Sequence, residues 1–262
     1  MLKRFFKRNS HNGLFKALAG FGRSLNRLYE NRNHDIYSNG EFHLLQRLSK
    51  LNPKLIIDGG ANKGDWAIQA ATCLPSSSVY AFEPVGDTFQ ELKESVKDYP
   101  QVQAIELGFF KENEEREINT FSSSTHASLY DIQGLHYSPE GKSTIQLVSG
   151  DSWLEKEKID EVDFLKLDIE GAEYDALLGF EQAFRQKKIR LVQFEYGYIN
   201  ITTKKLLIDY YQLFEEWGYQ VGKLFPKQVE FRPYAFKYED FLGPNYVAVH
   251  QEDKELIRLL EG

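Results

Sequence analysis

The stretch from Leu55 to Glu83 constrains the fold of this chain more strongly than any other part of the sequence. An apolar run ends in Asp58 and passes into the turn Gly59-Gly60-Ala61-Asn62-Lys63-Gly64, and a second apolar run, Val79–Phe82, ends in Glu83. In a strand, glycine turn, helix and strand of this kind, the glycines let the backbone approach an adenosine-type ligand and the terminal acid accepts both ribose hydroxyls. The segment therefore predicts a βαβ unit with an adenosine site at its turn.

The identity and spacing of the residues in the turn distinguish among the possible adenosine ligands. Its glycines stand at positions 59, 60 and 64, so the dinucleotide pattern G-x-G-x-x-G is not met. Gly59 and Gly64 have the spacing of a phosphate-binding P-loop, but Asp65 and Trp66 occupy the positions of its Lys and Ser/Thr. Asp65 also adds negative charge where a helix N-terminus would otherwise bind phosphate. An adenosine with a cationic tail remains, S-adenosylmethionine fits this description, and Asp58 is placed to hold its ammonium group.

Strands and helices alternate along most of the chain. Further strands are predicted at 102–107, 162–168, 189–195, 219–224 and 246–250, and helices at 41–51, 65–73, 86–99, 171–183 and 202–217. This alternation predicts an α/β fold, with a mostly parallel sheet of seven strands and helices on both of its faces. The alternation of strands and helices stops between about residues 111 and 150, where short strands at 117–121 and 143–148 alternate with polar loops. We expect this β-rich insertion beside the ligand end of the sheet, where loops carry specificity.

Charge and composition divide the chain into a basic extension (residues 1–40), a main domain (41–254) and a short C-terminal tail (255–262). Residues 1–33 contain eight Lys and Arg and only one acid, Glu30, whereas the remainder contains 24 basic and 38 acidic residues. An acidic body argues against nucleic acid as a partner, because phosphate binding needs a basic face. A single cysteine, Cys73, excludes a disulfide framework and is typical of a reducing cytoplasm, where we expect the protein.

An apolar helical stripe runs through the basic extension. Its members recur at spacings of four and three: Leu14, Leu18, Phe21, Leu25 and Leu28. A basic helix with such a stripe is typical of peripheral membrane contact. Most amphipathic helices of soluble proteins instead pack on their own domain or on a second subunit, and we expect packing here. Peripheral membrane contact stays open as the alternative.

A second chemical cluster follows the predicted strand at 162–168. Asp168 ends this strand and Glu195 ends the next one, and ligands of open α/β sheets bind beyond such strand ends. Adjacent parallel strands lie about 4.8 Å apart, so both carboxylates should converge on the cofactor edge. There they could bind the amino group of the methionine tail, a substrate hydroxyl or a divalent cation such as Mg²⁺. Crowding raises the pKa of one acid and leaves the other ionised, which suits a general base.

The candidate residues follow from these two clusters. The cofactor candidates share a place at the turn or at a strand end: Asp58, Gly59, Gly60, Ala61, Asn62, Gly64, Glu83, Pro84, Gly108 and Asp168. The catalytic candidates are groups able to take a proton from the acceptor: Asp168, Glu170, Glu195 and His126. His126 stands in a serine-rich polar loop, where a surface role is commoner. Asp168 and Glu195 are also the metal candidates, whereas Glu173 is interpreted as charge at a helix N-terminus.

Three blocks of the sequence resemble the signature of the FkbM family of methyltransferases. They are Ile57–Gly64, Phe82–Pro84 and Phe164–Glu173, and in order and spacing the resemblance covers about residues 54–250. The most specific block reads Lys166-Leu167-Asp168-Ile169-Glu170-Gly171-Ala172-Glu173. The resemblance implies a class I methyltransferase Rossmann-like fold, S-adenosylmethionine as cofactor, and methylation mostly of hydroxyl oxygens on sugars or polyketides.

The sequence therefore predicts an S-adenosylmethionine-dependent O-methyltransferase that acts on a hydroxyl of a sugar, a glycan or another small molecule. N-methylation of a lipid or amine is an alternative, because an acidic edge would tolerate a cationic acceptor. A cofactor-binding accessory protein without catalysis is a further alternative, against which the intact pair of Asp168 and Glu195 speaks.

Overall fold

The computed structural model describes residues 2–120, 127–130 and 141–262. The α-helices are α1 (Leu2–Arg8), α2 (Gly13–Tyr29), α3 (Glu41–Leu48), α4 (Asp65–Cys73), α5 (Gly86–Ser95), α6 (Gly150–Glu157), α7 (Glu173–Gly179), α8 (Glu181–Arg185), α9 (Asn200–Thr203), α10 (Leu207–Glu216) and α11 (Lys254–Glu261). The strands are β1 (Leu55–Gly59), β2 (Ser78–Phe82), β3 (Val102–Ile105), β4 (Gly108–Phe110), β5 (Glu114–Thr120), β6 (Ala127–Ser128), β7 (Gly141–Ser149), β8 (Val162–Leu167), β9 (Ile189–Glu195), β10 (Tyr219–Phe225), β11 (Gln228–Phe231) and β12 (Asn245–His250).

The main sheet has the strand order β11-β10-β12-β9-β8-β1-β2-β3. Strands β9, β8, β1, β2 and β3 run parallel, whereas β12 lies antiparallel between β9 and β10. Strands β1 and β8 are buried along nearly all of their length, as expected for parallel strands covered on both faces. The predicted α/β fold with a mostly parallel sheet is confirmed.

This sheet has eight strands where seven were predicted. The additional strand, β11, lies between the strands predicted at 219–224 and 246–250 and pairs antiparallel with β10. Only Pro226 and Lys227 separate the two strands, so a tight turn returns the chain at once. Val229 and Phe231, two positions apart, both pack into the core beneath the sheet, which gives β11 the period-two burial of a strand.

Helices cover both faces of the main sheet. Helices α3, α4, α5 and α11 pack on one face, and α6, α7, α8 and α10 pack on the other. Adjacent residues of a strand serve opposite layers: Phe164 contacts Trp66 of α4 edge to face, whereas Leu165 belongs to the opposite core. This arrangement leaves the carboxyl ends of the parallel strands as the open edge of the sheet.

Several helices differ in extent from the predictions. The helix predicted at 171–183 is divided at Phe180 into α7 and α8. At Gly179, the last residue of α7, a Cβ would stand 2.1 Å from the Phe110 carbonyl oxygen, so only glycine fits there. Helix α6 was not predicted, although Ser149 caps it by accepting a hydrogen bond from the Ser152 N–H. Residues 254–261, which fall almost wholly in the predicted tail, form α11 and bury Leu256 against the main domain.

The insertion forms a second sheet with the strand order β4-β7-β5-β6. Its side chains Phe110, Ile118, Ile145 and Leu147 form a core with Val85 and Ala172. Val85 follows β2, and Ala172 follows β8. The insertion therefore covers the open edge of the main sheet, where ligands bind in folds of this type.

The apolar stripe of α2 does not pack on the main domain. No residue of α2 is buried, and the exposed fractions of Leu14, Leu18, Phe21, Leu25 and Leu28 lie between 50% and 79%. Packing on the chain's own domain, one of the two expected partners of the stripe, is therefore wrong, whereas packing on a second subunit stays a prediction. No helix in the described residues is long and apolar enough to cross a membrane.

Candidate functional site

The glycine turn brings the backbone of β1 against the ends of β2 and β8. Its path needs left-handed backbone at Gly60 (φ 83°), Asn62 (φ 49°) and Gly64 (φ 94°). The N–H groups of Gly60 and Ala61 donate to the carbonyl oxygen of Phe82 at 3.0 and 2.8 Å. A Cβ at position 60 would stand 1.9 Å from the carbonyl oxygen of Asp168. Only glycine fits there, which fixes the turn next to the acidic cluster.

Glu83, at the end of β2, is held by the backbone of two loops. One carboxylate oxygen accepts the Asn62 N–H at 3.1 Å and the other accepts the Val85 N–H at 2.9 Å. The residue is 7% exposed, and burial raises the pKa of Glu83 to about 7 despite these two hydrogen bonds. The carboxylate is thus fixed in place and can accept hydrogen bonds from the hydroxyl groups of a ligand at the turn.

A cavity of about 170 Å³, here called the glycine-turn cavity, opens beside Glu83. Its polar end includes Gly60, Asn62, Asp168 and Glu170. The apolar part of the lining includes Pro84 and Gly108 from the main domain and four side chains from the insertion: Ile118, Leu129, Ile145 and Leu147. A polar end with an acid and an apolar slot suit a nucleoside, whose ribose is polar and whose base is flat.

Lys166, buried in the middle of the site, joins two acids. Its ammonium nitrogen lies 3.3 Å from Asp58 Oδ1 and 3.1 Å from Asp168 Oδ2. Asp58 is fully buried, and this burial raises its pKa, whereas the charge of Lys166 lowers it. Burial lowers the pKa of Lys166, but the charges of the two acids outweigh this effect and raise it. Asp58 lines neither of the cavities described here, so the ammonium that it holds is that of Lys166.

The turn after β8 presents Glu170 to the site. Glu170 adopts left-handed backbone (φ 52°), and Glu173 fixes this turn by accepting the N–H groups of Ile169 at 2.9 Å and Gly171 at 3.2 Å. Glu173 therefore acts on the turn as well as at the start of α7. Burial, followed by the charges of Asp168 and Glu173, raises the pKa of Glu170 to about 8. A carboxyl with such a pKa can exchange a proton near neutral pH.

A second cavity, of about 200 Å³, lies at the end of β9 and is here called the Glu195 cavity. Asp168 and Glu170 line both this cavity and the glycine-turn cavity, so the two meet at these acids. Glu195 is 16% exposed, and burial together with the charges of Asp168 and Glu170 raises its pKa well above the ordinary value. The predicted convergence of Asp168 and Glu195 on one edge is thus present.

The end of the basic extension forms one wall of the Glu195 cavity. Arg32 and His34 line it, and His34 Nδ1 lies 3.8 Å from Glu195 Oε1. Asn31 anchors this segment, because its amide donates to the carbonyl oxygens of Asn39 and Leu224. Sequence reasoning missed these two cavity residues, since no motif or periodicity marks them.

The predicted cofactor residues divide into two groups. Those that line the glycine-turn cavity are Gly60, Asn62, Glu83, Pro84, Gly108 and Asp168. Those that do not are Asp58, Gly59, Ala61 and Gly64. Gly64 instead gives room to Leu92 of α5, which a Cβ would approach to 2.8 Å, and so serves helix packing. His126 lies outside the described residues.

The metal candidates Asp168 and Glu195 have no third ligand in the part of the chain that the structure describes. There, no group of three or more His, Cys, Asp or Glu side chains could hold a metal ion. The Lys166 ammonium group already forms an ion pair with Asp168. Among the described residues, the two carboxylates thus have no third side-chain ligand and face a competing ammonium group, so they do not fit a divalent cation.

Strand order and turn together define the class of protein. Five parallel strands, an antiparallel β12 inserted beside β10, and an adenosine-type turn after β1 are the features of a class I methyltransferase fold. The sequence model of the methyltransferase FkbM domain matches residues 58–221, more than half of the chain. The chain belongs to the FkbM methyltransferase family, which confirms the resemblance of the three sequence blocks.

Two characterised relatives match about the same share of the chain. Hexuronic acid methyltransferase AglP of Haloferax volcanii is 30% identical over 153 residues, which are 58% of this chain and 60% of the relative. 2-O-methyltransferase NoeI of Sinorhizobium fredii is 21% identical over 166 residues, 59% of this chain and 67% of the relative. The first match thus spans less than two thirds of the relative's length.

Among solved structures, the FkbM methyltransferase of Methylobacillus flagellatus aligns with this chain at 16% identity and a TM-score of 0.48. The alignment covers 75% of this chain and 43% of the solved chain. This score is too low to add to the assignment.

Proposed function

We propose that this protein is an S-adenosylmethionine-dependent methyltransferase that methylates a hydroxyl oxygen of a sugar. The observation that carries the proposal is Glu83, a buried carboxylate fixed by two backbone N–H groups beside a glycine turn, at the polar end of a cavity. Family membership supports a methyl donor, and the two relatives, which are named for hexuronic acid methylation and 2-O-methylation, support a sugar hydroxyl as the acceptor.

The glycine-turn cavity has the groups that S-adenosylmethionine needs. Glu83 accepts the ribose hydroxyls, the apolar end between Pro84 and Leu147 holds the adenine, and the acidic end at Asp168 and Glu170 stabilises the cationic tail. When bound, the cofactor supplies an activated methyl group on a positively charged sulfur. The protein's own contribution is then to orient the acceptor and to take its proton.

The Glu195 cavity is the proposed acceptor site. Carboxylates of Asp168, Glu170 and Glu195 can accept hydrogen bonds from sugar hydroxyls. The guanidinium group of Arg32 can donate two parallel hydrogen bonds to the carboxylate of an acidic sugar. Glu170 lines both cavities and therefore stands where donor and acceptor meet. Its pKa of about 8 makes it the general base of this proposal, because a base works best with a pKa near the working pH.

Calorimetry with S-adenosylhomocysteine tests the donor half of the proposal. Glu83→Ala should weaken binding by about 10- to 100-fold, since it removes hydrogen bonds to a charged acceptor. Glu94→Ala is the matched control, because Glu94 on α5 is 72% exposed and lines neither the glycine-turn cavity nor the Glu195 cavity. Equal affinity of wild type and Glu83→Ala would overturn the assignment of Glu83.

Transfer of a radiolabelled methyl group tests the acceptor half. Hexuronic acid glycosides, neutral glycosides and amines are offered as acceptors, and the site of methylation is read by mass spectrometry. Methylation of a sugar oxygen is expected. Methylation of an amine nitrogen alone would replace the O-methyltransferase assignment by the N-methyltransferase alternative.

A further inference from the structure

Helices α1 and α2 form an arm at the start of the chain that covers no face of the main sheet. The rings of Phe6 and Phe15 join the two helices edge to face, with centroids 6.2 Å apart. The apolar stripe of α2 is exposed along its whole length, and Phe5 of α1 is 62% exposed. A contiguous exposed apolar surface of this kind marks an interaction site.

The charge of the arm specifies the partner. Residues 4–29 contain six basic residues and no acid: Arg4, Lys7, Arg8, Lys16, Arg23 and Arg27. At 100° per residue, the five stripe residues of α2 fall within a sector of about 80°, and its three basic residues fall within about 40° on the opposite side. An apolar face and a basic polar face on one helix are the features of a helix that lies in the interface of an anionic membrane.

We propose that the arm docks this protein on an anionic lipid surface, with the stripe Leu14, Leu18, Phe21, Leu25 and Leu28 inserted among the lipids. The inference goes beyond the methyltransferase proposal and does not require it. Basic side chains on the polar face attract anionic headgroups, and the apolar residues then leave water.

A second copy of the chain is the competing occupant of the stripe. The spacing of four and three would also suit a coiled coil, but α2 offers little more than two heptads, whereas such seams usually need three or four. Gly20 and Gly22 further lower the helix propensity of α2. The arm also carries no acidic residue that could pair with the bases of a partner helix.

The arm is connected directly to the Glu195 cavity. Glu30, next after α2, is buried and accepts a hydrogen bond from Lys223 at 3.0 Å. Arg32 and His34, a few residues further, line the cavity. Docking would therefore bring this cavity close to the lipid surface, where membrane-borne acceptors are presented.

Vesicle sedimentation of the full chain tests the proposal. Wild type should bind phosphatidylglycerol-containing vesicles at least roughly tenfold more strongly than pure phosphatidylcholine vesicles, and salt should weaken this binding. Leu18→Glu/Phe21→Glu should lower binding by roughly tenfold or more, because both residues insert. The control Ala19→Glu/Asn26→Glu adds the same charge at exposed positions outside the stripe and should retain clearly stronger binding.

Equal losses in the two double variants, or no preference of wild type for anionic vesicles, would overturn the proposal. The proposal would also be overturned if sedimentation velocity showed that wild type and the control variant are dimers and that the Leu18→Glu/Phe21→Glu variant alone is a monomer. All three proteins should bind S-adenosylhomocysteine with one affinity, which shows that they are folded. If none binds it while wild type still binds vesicles, the methyltransferase proposal fails and the membrane inference stands.

Discussion

Lys166→Met should expose the electrostatic cost of burying Asp58 under the glycine turn. Lys166 is 3% exposed and Asp58 is fully buried, and Lys166 is the cation that opposes the raised pKa of Asp58. The second oxygen of Asp58 has no hydrogen-bond partner among the described residues. Methionine fills much of the lysine stem, so the substitution removes a charge with little change in packing. Breaking a buried pair leaves an uncompensated charge, which costs about 3–5 kcal/mol of unfolding free energy.

Most of this cost should fall on Asp58 and should depend on pH. The side chain of Asp168, the other acid at Lys166, is 47% exposed and can be solvated by water. Without Lys166 the pKa of Asp58 rises further above its ordinary 3.8. An acid with a raised pKa in the folded state binds more protons folded than unfolded, so the variant regains stability as the pH falls through that raised pKa towards 3.8.

Thermal and urea unfolding at about pH 8 and about pH 5.5 measures both effects. At the higher pH the variant should melt about 6–20 °C below wild type, at 2–4 °C per kcal/mol. Asp58→Asn combined with Lys166→Met should recover most of the loss, because neither charge remains. Lys142→Met, which removes a lysine that is 61% exposed and paired on the surface, should change little. A stable Lys166→Met at the higher pH, or a double variant no better than the single one, would refute this reasoning.

Three further outcomes follow from the site. Binding of S-adenosylmethionine should release protons near neutral pH. The raised pKa values of Glu83 (about 7) and Glu170 (about 8) should fall, because ribose hydroxyls and a sulfonium stabilise the carboxylates. Calorimetric heats of binding that do not depend on the ionisation enthalpy of the buffer would contradict this. Glu170→Gln should lower kcat by about 10²–10⁴ while leaving the affinity for S-adenosylhomocysteine, which has no sulfonium charge, unchanged, and a kcat within roughly twofold of wild type would exclude Glu170 as the base. Gly60→Ala should abolish cofactor binding, since its Cβ would meet the Asp168 carbonyl oxygen at 1.9 Å, whereas Gly22→Ala, with open space around its Cβ, should leave calorimetric affinity unchanged.

The parts of the site that the sequence predicted are local ones. The glycine turn and Glu83 could be recognised because a turn with left-handed backbone selects glycines at fixed positions, and a strand end places one acid beside it. Asp168 and Glu195 could be paired because both end strands that run parallel in an alternating α/β pattern. Each of these inferences needs only one strand and the residues that follow it.

The parts that were missed depend on which strands and segments become neighbours. Asp58 and Lys166 stand opposite each other in the pairing of β1 with β8, and this register cannot be read from either strand alone. His34 reaches Glu195 only because the segment after α2 is anchored on the distant Leu224. No periodicity encodes a contact of this kind.

The raised pKa values of the acids in the site can be related to the positive charge of the proposed cofactor. Glu83, Glu170 and Glu195 all have raised pKa values, mainly because of burial, and Lys166 is largely engaged by Asp58 and Asp168. Without a ligand, such acids hold protons and destabilise the fold as the pH rises. A cation at their meeting point would lower those pKa values, so the site should bind a sulfonium cofactor better than its neutral demethylated product. The same acids would then favour release of S-adenosylhomocysteine after transfer, and a Kd for S-adenosylmethionine no lower than that for the product would argue against this role.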